Sequence, residues 1–317
     1  MSRGRVVVIG SINQDIVSEV DRLPAPGETV LAHASRNNLG GKGSNQAVAA
    51  ARAGARVQMI ARVGAADEAR LRAELRDLGV AAEAVQGVPG LHTGTAYITV
   101  AAGENQIVVD PAANSCWDPG GSATGAGIEA ELLAAADVVV AQLEIPVEVV
   151  AWAAGRARRL VLNVAPAVGM PREVLERADP LVVNEFELAA IDGGGVATPD
   201  EGLRRARELC LGGVPAVVVT LGAAGSVWAR RTADGAVDGG YQAAPQVDSV
   251  DSTGAGDCYV GALATALAEG QSLEAAVVFA TAAAALAVQR TGTHSAYPGR
   301  ERIAAAAAEL LGARESV

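Results

Sequence analysis

Six short runs of aliphatic, mostly β-branched residues punctuate the chain between residues 5 and 221. They are Arg5–Ile9, Gln58–Val63, Val138–Leu143, Leu160–Asn163, Leu181–Val183 and Ala216–Leu221. A strand that is apolar almost throughout has no face to give to water, so both of its faces must be covered. The segments between these runs carry helical patterns: Ser44–Ala53, Ala66–Leu78, Ile128–Ala135, Val147–Arg158, Glu185–Ile191 and Asp200–Leu211. Strand following helix following strand predicts an α/β fold with a mostly parallel sheet between two helical layers. Three further helix-like segments close the chain: Ala255–Glu269, Leu273–Gln289 and Gly299–Leu311.

Two regions break this rhythm. Ile16–Val30 and Thr93–Asp110 read as antiparallel β, with Thr95–Val100 and Gln106–Val109 flanking a turn at Gly103–Asn105. Such an insertion is either an edge hairpin or a lid over the carboxyl ends of the strands, where ligands bind in sheets of this kind. No long repeat or Ser/Pro-rich linker divides the 317 residues, so residues 1–317 are expected to form one domain with an inserted flap at about 16–38 and 93–110.

Composition excludes several functions. Acidic residues number 36 against 25 basic, a net charge of −11, and a field of that sign repels nucleic acid and anionic membranes. Cys116, Cys210 and Cys258 are widely spaced and match neither a disulfide framework nor a zinc site, which suits a reducing cytoplasm. The apolar stretch at the N-terminus is too short for a signal-peptide core, and Ala275–Val288 is too short to span a bilayer. His33, His92 and His294 share no metal-ligand spacing and read as solvated or satisfied side chains.

The chemistry lies in a few polar strings at strand ends. Neither G-x-x-x-x-G-K-[ST] nor G-x-G-x-x-G is present, which removes support for a P-loop or a dinucleotide fold. With 37 glycines, roughly four adjacent pairs arise by chance, so Gly40-Gly41 alone means nothing. The full string Gly40-Gly41-Lys42-Gly43-Ser44-Asn45 opens a helix and contains the only lysine of the chain. It is either a glycine turn capped by Ser44 or a bare-backbone site for an anionic or oxygen-rich ligand. Asn13 and Asp15 follow the first strand, either as an Asx-turn or as a carboxylate and an amide that accept from vicinal hydroxyls.

Asp251-Ser-Thr253-Gly254-Ala255-Gly256-Asp257 precedes a helix and leaves several N–H groups uncovered at its positive end. Asp257 is an N-terminal capping aspartate or a base: a carboxylate beside an anion site is repelled by phosphate unless it is there to take a proton. Asn184-Glu185-Phe186-Glu187 reads as a helix cap with first-turn acids or as an organiser of metal and phosphate. Gly222, after Thr220-Leu221, permits close approach of a ligand to a strand end.

Together these strings resemble the ribokinase family of ATP-dependent sugar kinases, also called phosphofructokinase-B-type carbohydrate kinases. The matches are Gly10-Ser-Ile-Asn-x-Asp15, Gly40-Gly-Lys-Gly-x-Asn-Gln-Ala47, Asn184-Glu-x-Glu187, Thr220-Leu-Gly222 and Asp251-x-x-Gly-Ala-Gly-Asp257, in the family's order. The similarity runs from about Arg5 to about Arg302, and two of the strings are specific to the family.

The resemblance implies a ribokinase-like three-layer α/β/α fold with a small β-sheet lid, often paired as a homodimer through the lids. It implies transfer of the ATP γ-phosphoryl group to the primary hydroxyl of a pentose, with D-ribose favoured by Asn13 and Asp15. Another furanose (2-deoxyribose or a fructose-like sugar), a nucleoside, or a non-catalytic sugar-binding regulator are the alternatives. By position, Asn13, Asp15, Gly41, Lys42, Asn45 and Glu144 would hold the sugar. Asn184, Glu187, Thr220, Gly222, Gly225 and Gly256 would face the nucleotide, with Glu187 serving Mg²⁺ through water or phosphate. Asp257 would be the base, kept ionised by the helix terminus, and Gly254, Ala255 and Gly256 the anion hole. A monovalent cation, K⁺ by resemblance, would be held by Asp251 and the carbonyls of Thr253, Ala287, Arg290 and Gly292. Three departures stand out: Thr281 where a histidine is frequent near the adenine, Ala296 in place of a serine, and the Pro111 lid exit Asp110-Pro-Ala-Ala-Asn114.

Overall fold

A computed structural model of the chain describes residues 3–101, 104–118 and 126–315. The chain begins with β1 (Arg5–Ile9), β2 (Asn13–Glu19) and β3 (Ala34–Gly40), then α1 (Lys42–Ala53), β4 (Arg56–Gly64), α2 (Glu68–Asp77) and β5 (Val80–Val88). Two more insertion strands follow, β6 (Gly94–Ala101) and β7 (Glu104–Asp110). The alternation resumes with α3 (Ala126–Ala135), β8 (Val138–Ala141), α4 (Val147–Ala154), β9 (Leu160–Asn163), α5 (Arg172–Leu175) and β10 (Ala178–Asn184). Next come α6 (Glu185–Asp192), α7 (Pro199–Leu211), β11 (Ala216–Thr220), β12 (Ser226–Arg231) and β13 (Val237–Gln242). Three helices end the chain: α8 (Ala255–Ala268), α9 (Leu273–Ala287) and α10 (Arg300–Glu315).

Nine strands form one sheet in the order β13-β12-β11-β10-β9-β8-β1-β4-β5. All neighbours are parallel except β11 with β12 and β12 with β13, which turn back as a meander. Pleating sends alternate side chains of each strand into different cores. Val6 and Val8 join α1, α2, α8, α9 and α10 on one face, while Val7 and Ile9 join α3, α4, α5, α6 and α7 on the other. β8 divides the same way, Val138 and Val140 against Val139 and Ala141. This is the three-layer arrangement expected from strands with no polar face.

Small side chains let the layers approach closely. A Cβ placed on Gly261 of α8 would lie 2.6 Å from the Ala49 Cβ and the Gln46 carbonyl of α1. The α1–α8 contact therefore brings the N-terminal turns of two helices together over the carboxyl ends of β8, β1 and β9.

The two insertions do not add an edge hairpin to the central sheet. They form a separate four-stranded sheet in the order β3-β2-β6-β7. Its strands extend past the expected 16–38 bounds, to Asn13 and Gly40, and residues 20–33 contain no strand. β2 pairs antiparallel with β3 but parallel with β6, so the sheet is mixed where antiparallel pairing was expected. Gly103, the first residue of the expected turn at Gly103–Asn105, lies outside the described residues, as does residue 102.

Candidate active site

Four strand ends and two helix starts converge at one point. β1 runs out at Gly10 and Ser11, which sit directly under α1. The Ser11 hydroxyl donates to Glu144 Oε2 at 2.6 Å, and the Lys42 backbone N–H donates to the same oxygen at 2.9 Å. Glu144, just past β8, is thereby tied to the glycine string from below. Two glycines of that string are required by contact. A Cβ on Gly40 would fall 2.1 Å from the Asp15 carboxylate, and Gly41 has φ +90° with its Cα facing the Asn13 N–H. Gly41 precedes α1, which starts at Lys42, two residues earlier than the sequence pattern predicts.

Asn13 lies at the site end of β2, in register with Gly40 and Gly94 of the neighbouring strands. Its Oδ1 accepts from Asn114 Nδ2 at 2.7 Å, while Asn114 Oδ1 accepts from the Ile12 N–H at 3.0 Å. Asn114 is buried in the segment after Pro111, and the Trp117 indole donates to its carbonyl at 2.7 Å. The lid exit is thus pinned to Asn13, a role for Asn114 that its place in a loop did not suggest.

Asp257, in the first turn of α8, is only 8% exposed. Each of its carboxylate oxygens receives an amide: Asn45 Nδ2 donates to Oδ2 and Gln46 Nε2 to Oδ1, both at 2.9 Å. Gln46 also donates to Asn163 Oδ1 at 2.9 Å and accepts from Gln142 Nε2 at 2.7 Å. A buried amide chain thus runs under the site from β8 and β9 to Asp257. Burial works against the expected hold of the helix terminus on the ionised form of Asp257. Burial dominates and raises its pKa, against the opposing pull of the Lys42 charge and the Asn45 and Gln46 hydrogen bonds.

Charge in this pocket is unbalanced. Asp257, Glu144 and Glu187 act on one ammonium, that of Lys42, while Asp15 feels the charges of Glu144 and Asp257. Burial lowers the Lys42 pKa, but the charges of Asp257, Glu144 and Glu187 more than compensate and the net shift is upward. Asp15 is pushed up to about 6 by burial, then by the charges of Glu144 and Asp257. Asn184 and Glu187 form a reciprocal capping box on α6, each backbone N–H donating to the other's side chain at 2.8 Å. Burial raises the Glu187 pKa as well, so the cap and the electrostatic link to Lys42 coexist.

On the other side of Asp257 lies a cleft of about 290 Å³, lined by Thr220, Gly222, Gly225, Ala255, Gly256 and Thr281 among others. Nothing stands within 4 Å of where Gly222 or Gly256 would carry a Cβ. In the anion loop the Ala255 N–H is spent on the Ser252 carbonyl at 3.2 Å. The bare N–H groups among the three expected residues are therefore those of Gly254, at φ +72°, and Gly256. Thr281 is buried, within 3.4 Å of Ser226 Oγ.

Two of the proposed cation residues, Thr253 and Gly292, contact Asp251. Asp251 accepts from the Thr253 and Gly292 N–H groups, each at 2.9 Å. Burial alone would raise its pKa, but these hydrogen bonds hold it below the ordinary value. The Ala287 carbonyl accepts from the Arg290 N–H at 3.2 Å, and Ala296 is buried nearby in sequence. Among the described residues no group of three or more His, Cys, Asp or Glu side chains forms a metal cluster. His33 and His92 are exposed, as expected for solvated histidines. His294 is not: its Nε2 lies 2.8 Å from Asn45 Oδ1, and burial pushes its pKa down to about 4. A cavity of about 450 Å³ lined by Arg3, Arg5 and Arg56 lies at the opposite, amino-terminal ends of the strands and contains none of these residues.

Residues 3–300 match the model of the pfkB family of carbohydrate kinases. The chain is 36% identical over 306 residues to ribokinase of Bacillus subtilis, covering 94% of this chain and 97% of the relative. It is 33% identical over 306 residues to deoxyribokinase of Salmonella typhi, covering 94% and 96% respectively. Among solved structures it is similar to Arabidopsis thaliana ribokinase complexed with ribose and ATP, with a TM-score of 0.87, 32% identity, and 96% and 99% of the two chains covered.

Proposed function

This chain belongs to the pfkB family of carbohydrate kinases, and from that premise we propose that it phosphorylates D-ribose at O5 with ATP. The observation that carries this reading is the position of Asp257. It lies between a pocket of carboxylates and amides and a cleft lined by Ala255 and Gly256 of its own helix start.

In this reading Asn13, Asp15, Gly41, Lys42, Asn45 and Glu144 hold the sugar, the acids accepting from its hydroxyls and the amides donating to its oxygens. Thr220, Gly222, Gly225 and Gly256 receive the nucleotide, with Asn184 and Glu187 at the phosphate side. Asp257 takes the proton of the primary hydroxyl as the oxygen attacks. Its raised pKa makes it a better proton acceptor than an exposed aspartate. The N–H groups of Gly254 and Gly256 stabilise charge on the transferring group, while Lys42 offsets the acids around it.

The residues fit the ions this chemistry needs. Mg²⁺, when bound with ATP, neutralises phosphate charge; the Glu187 carboxylate, held by the cap through Oε2, is the side chain that would serve it. Asp251, kept ionised, and the carbonyls of Thr253, Ala287, Arg290 and Gly292 form an all-oxygen set suited to a hard monovalent cation such as K⁺. Pairing of two lids into a homodimer is supported by Tyr97, Ile107, Val108 and Val109, which stand exposed on β6 and β7. Residues 1–317 are read as one kinase domain whose second sheet closes over the sugar and excludes water. Among the described residues no helix is long and apolar enough to cross a membrane, and a cytoplasmic enzyme is proposed.

A panel of D-ribose, 2-deoxy-D-ribose, D-fructose and a nucleoside, run in a coupled ADP assay with and without potassium, tests the reading. D-ribose should give the highest kcat/KM, and potassium should raise it. A higher kcat/KM for 2-deoxy-D-ribose would transfer the assignment to the deoxyribokinase activity of the Salmonella relative.

The pH response of the sugar site follows from Asp15. Its ionised form is the one that accepts from two hydroxyls, and it is lost as pH falls through about 6. The sugar KM should therefore rise below that value, by up to about tenfold per pH unit, while the ATP KM stays level. A sugar KM that is flat from pH 5 to pH 8 would contradict the role of Asp15.

A further inference from the structure

We infer that His294 is a positioning residue for phosphoryl transfer: its Nε2–H fixes the Asn45 side chain so that the Asn45 amide group donates to Asp257. The contacts are His294 Nε2 to Asn45 Oδ1 at 2.8 Å and Asn45 Nδ2 to Asp257 Oδ2 at 2.9 Å. A carboxamide has one accepting oxygen and one donating NH₂ group, so what it shows to one neighbour decides what it shows to the other. With the imidazole proton on Nε2, Oδ1 faces the histidine and Nδ2 faces the carboxylate. With the proton on Nδ1, Nε2 becomes an acceptor, the amide must turn, and Oδ1 is pressed against Asp257.

The second donor to Asp257 is fixed by the same logic from the opposite side. Gln46 Oε1 is occupied by Gln142 Nε2 at 2.7 Å, which commits the Gln46 amide group to Asp257 Oδ1 and Asn163. Each oxygen of the carboxylate thus has a donor, and each donor has its own oxygen held by a further donor. Gln142 does this for Gln46, and His294 does it for Asn45.

The loop between α9 and α10 makes His294 an effective anchor. Gly292 N–H in that loop donates to Asp251 Oδ2 at 2.9 Å, and the Tyr297 hydroxyl donates to the Gly254 carbonyl at 3.1 Å. The rings of His294 and Tyr297 pack edge to face, with centroids 6.0 Å apart. One loop therefore holds both ends of the anion loop and, through His294, the α1 residue that meets Asp257 across from it.

The inference rests on reading Asp257 as the base. His294→Met removes the donor at similar length, and His294→Gln keeps an N–H near the same place. His294→Met should lower kcat with sugar by about 30-fold and leave the ATP KM within about twofold, whereas His294→Gln should stay within about threefold of the parent. Equal impairment of the two variants, or a methionine variant as active as the parent, would overturn it. The unsubstituted protein gives an independent reading: ¹⁵N spectra, assigned by loss of the signal in His294→Gln, should show the proton on Nε2 and a bare Nδ1 at pH 7. The reverse tautomer would overturn the inference whether or not either variant folds. Failure of the base reading is seen separately, as retained turnover in Asp257→Asn with the Nε2–H tautomer intact.

Discussion

Replacing Asp257 by asparagine should lower kcat by about three orders of magnitude while the ATP KM stays within about twofold. The substitution keeps the shape of the side chain but removes its ability to take a proton. The geometry adds a second effect. Asn45 and Gln46 each aim an N–H at Asp257, one at each oxygen. An asparagine there offers one oxygen and one NH₂ group, so one of the two donors meets another donor, a mismatch costing about 1–3 kcal/mol. Removing a buried charge offsets part of that cost, and the variant should remain folded. ATP binding is spared because the cleft lined by Thr220, Gly222 and Gly225 lies beyond the carboxylate. Steady-state kinetics with saturating sugar and varied ATP measure both quantities. Turnover within tenfold of the parent would remove Asp257 from the role of base.

Asp15→Ala should raise the pentose KM by about a hundredfold, equivalent to about 3 kcal/mol, with little change in the ATP KM. That magnitude corresponds to two charge-assisted hydrogen bonds lost together, as expected where one carboxylate accepts from two adjacent hydroxyls. The same substitution should not weaken the fold. Burial and the charges of Glu144 and Asp257 raise the Asp15 pKa to about 6, above its value in an unfolded chain. At pH 7 the ionised side chain therefore opposes folding, and removing it should raise the melting temperature slightly. A kinetic defect joined to higher thermal stability separates a binding role from a structural one. Equal rises in both KM values would show that Asp15 supports the site as a whole and does not contact the sugar.

Much of the scaffold is legible in the sequence because unbroken apolar runs admit few alternatives. β1 and β9 occupy the expected residues, and every helix between strands 1 and 11 that was expected is present with shifted ends. β5 escapes the pattern because Val80–Val88 is rich in alanine and contains a glycine, which gives little β signal for an edge strand. β12 and β13 escape for another reason: Arg230, Arg231, Asp238 and two glycines interrupt them, as a half-exposed antiparallel edge permits. The parallel pairing of β2 with β6 joins residues about 80 apart and leaves no local trace.

The site divides along the same line. Residues clustered in short strings, such as Asn13, Asp15, Gly41 and Asp257, could be picked out because several unusual residue types stand together at a strand or helix end. Gln46, Gln142 and Asn163 could not, although a glutamine within an alanine-rich helix start and polar residues closing apolar strands are signals of a kind. His294 reaches Asn45 across 249 residues, and nothing in its neighbourhood announces that contact. The glycine string also shows two demands acting together, since Gly40 clears the Asp15 carboxylate while Gly41 supplies a positive φ. The net charge of −11 keeps its meaning for nucleic acid, but within the pocket the acids Asp257, Glu144 and Glu187 act on the only lysine. Attraction for ATP must then come from Lys42, bare N–H groups, a helix start and the metal that accompanies the nucleotide.

The proposed reaction is transfer of a phosphoryl group from ATP to the primary hydroxyl of a pentose. It is tested most directly by comparing ADP release with D-ribose and with 5-deoxy-D-ribose, followed by ³¹P NMR of the product. ADP should be released with D-ribose only, and the product should give a phosphorus signal coupled to the two protons on C5. Equal release with both sugars, or release no greater than with ATP alone, would contradict it.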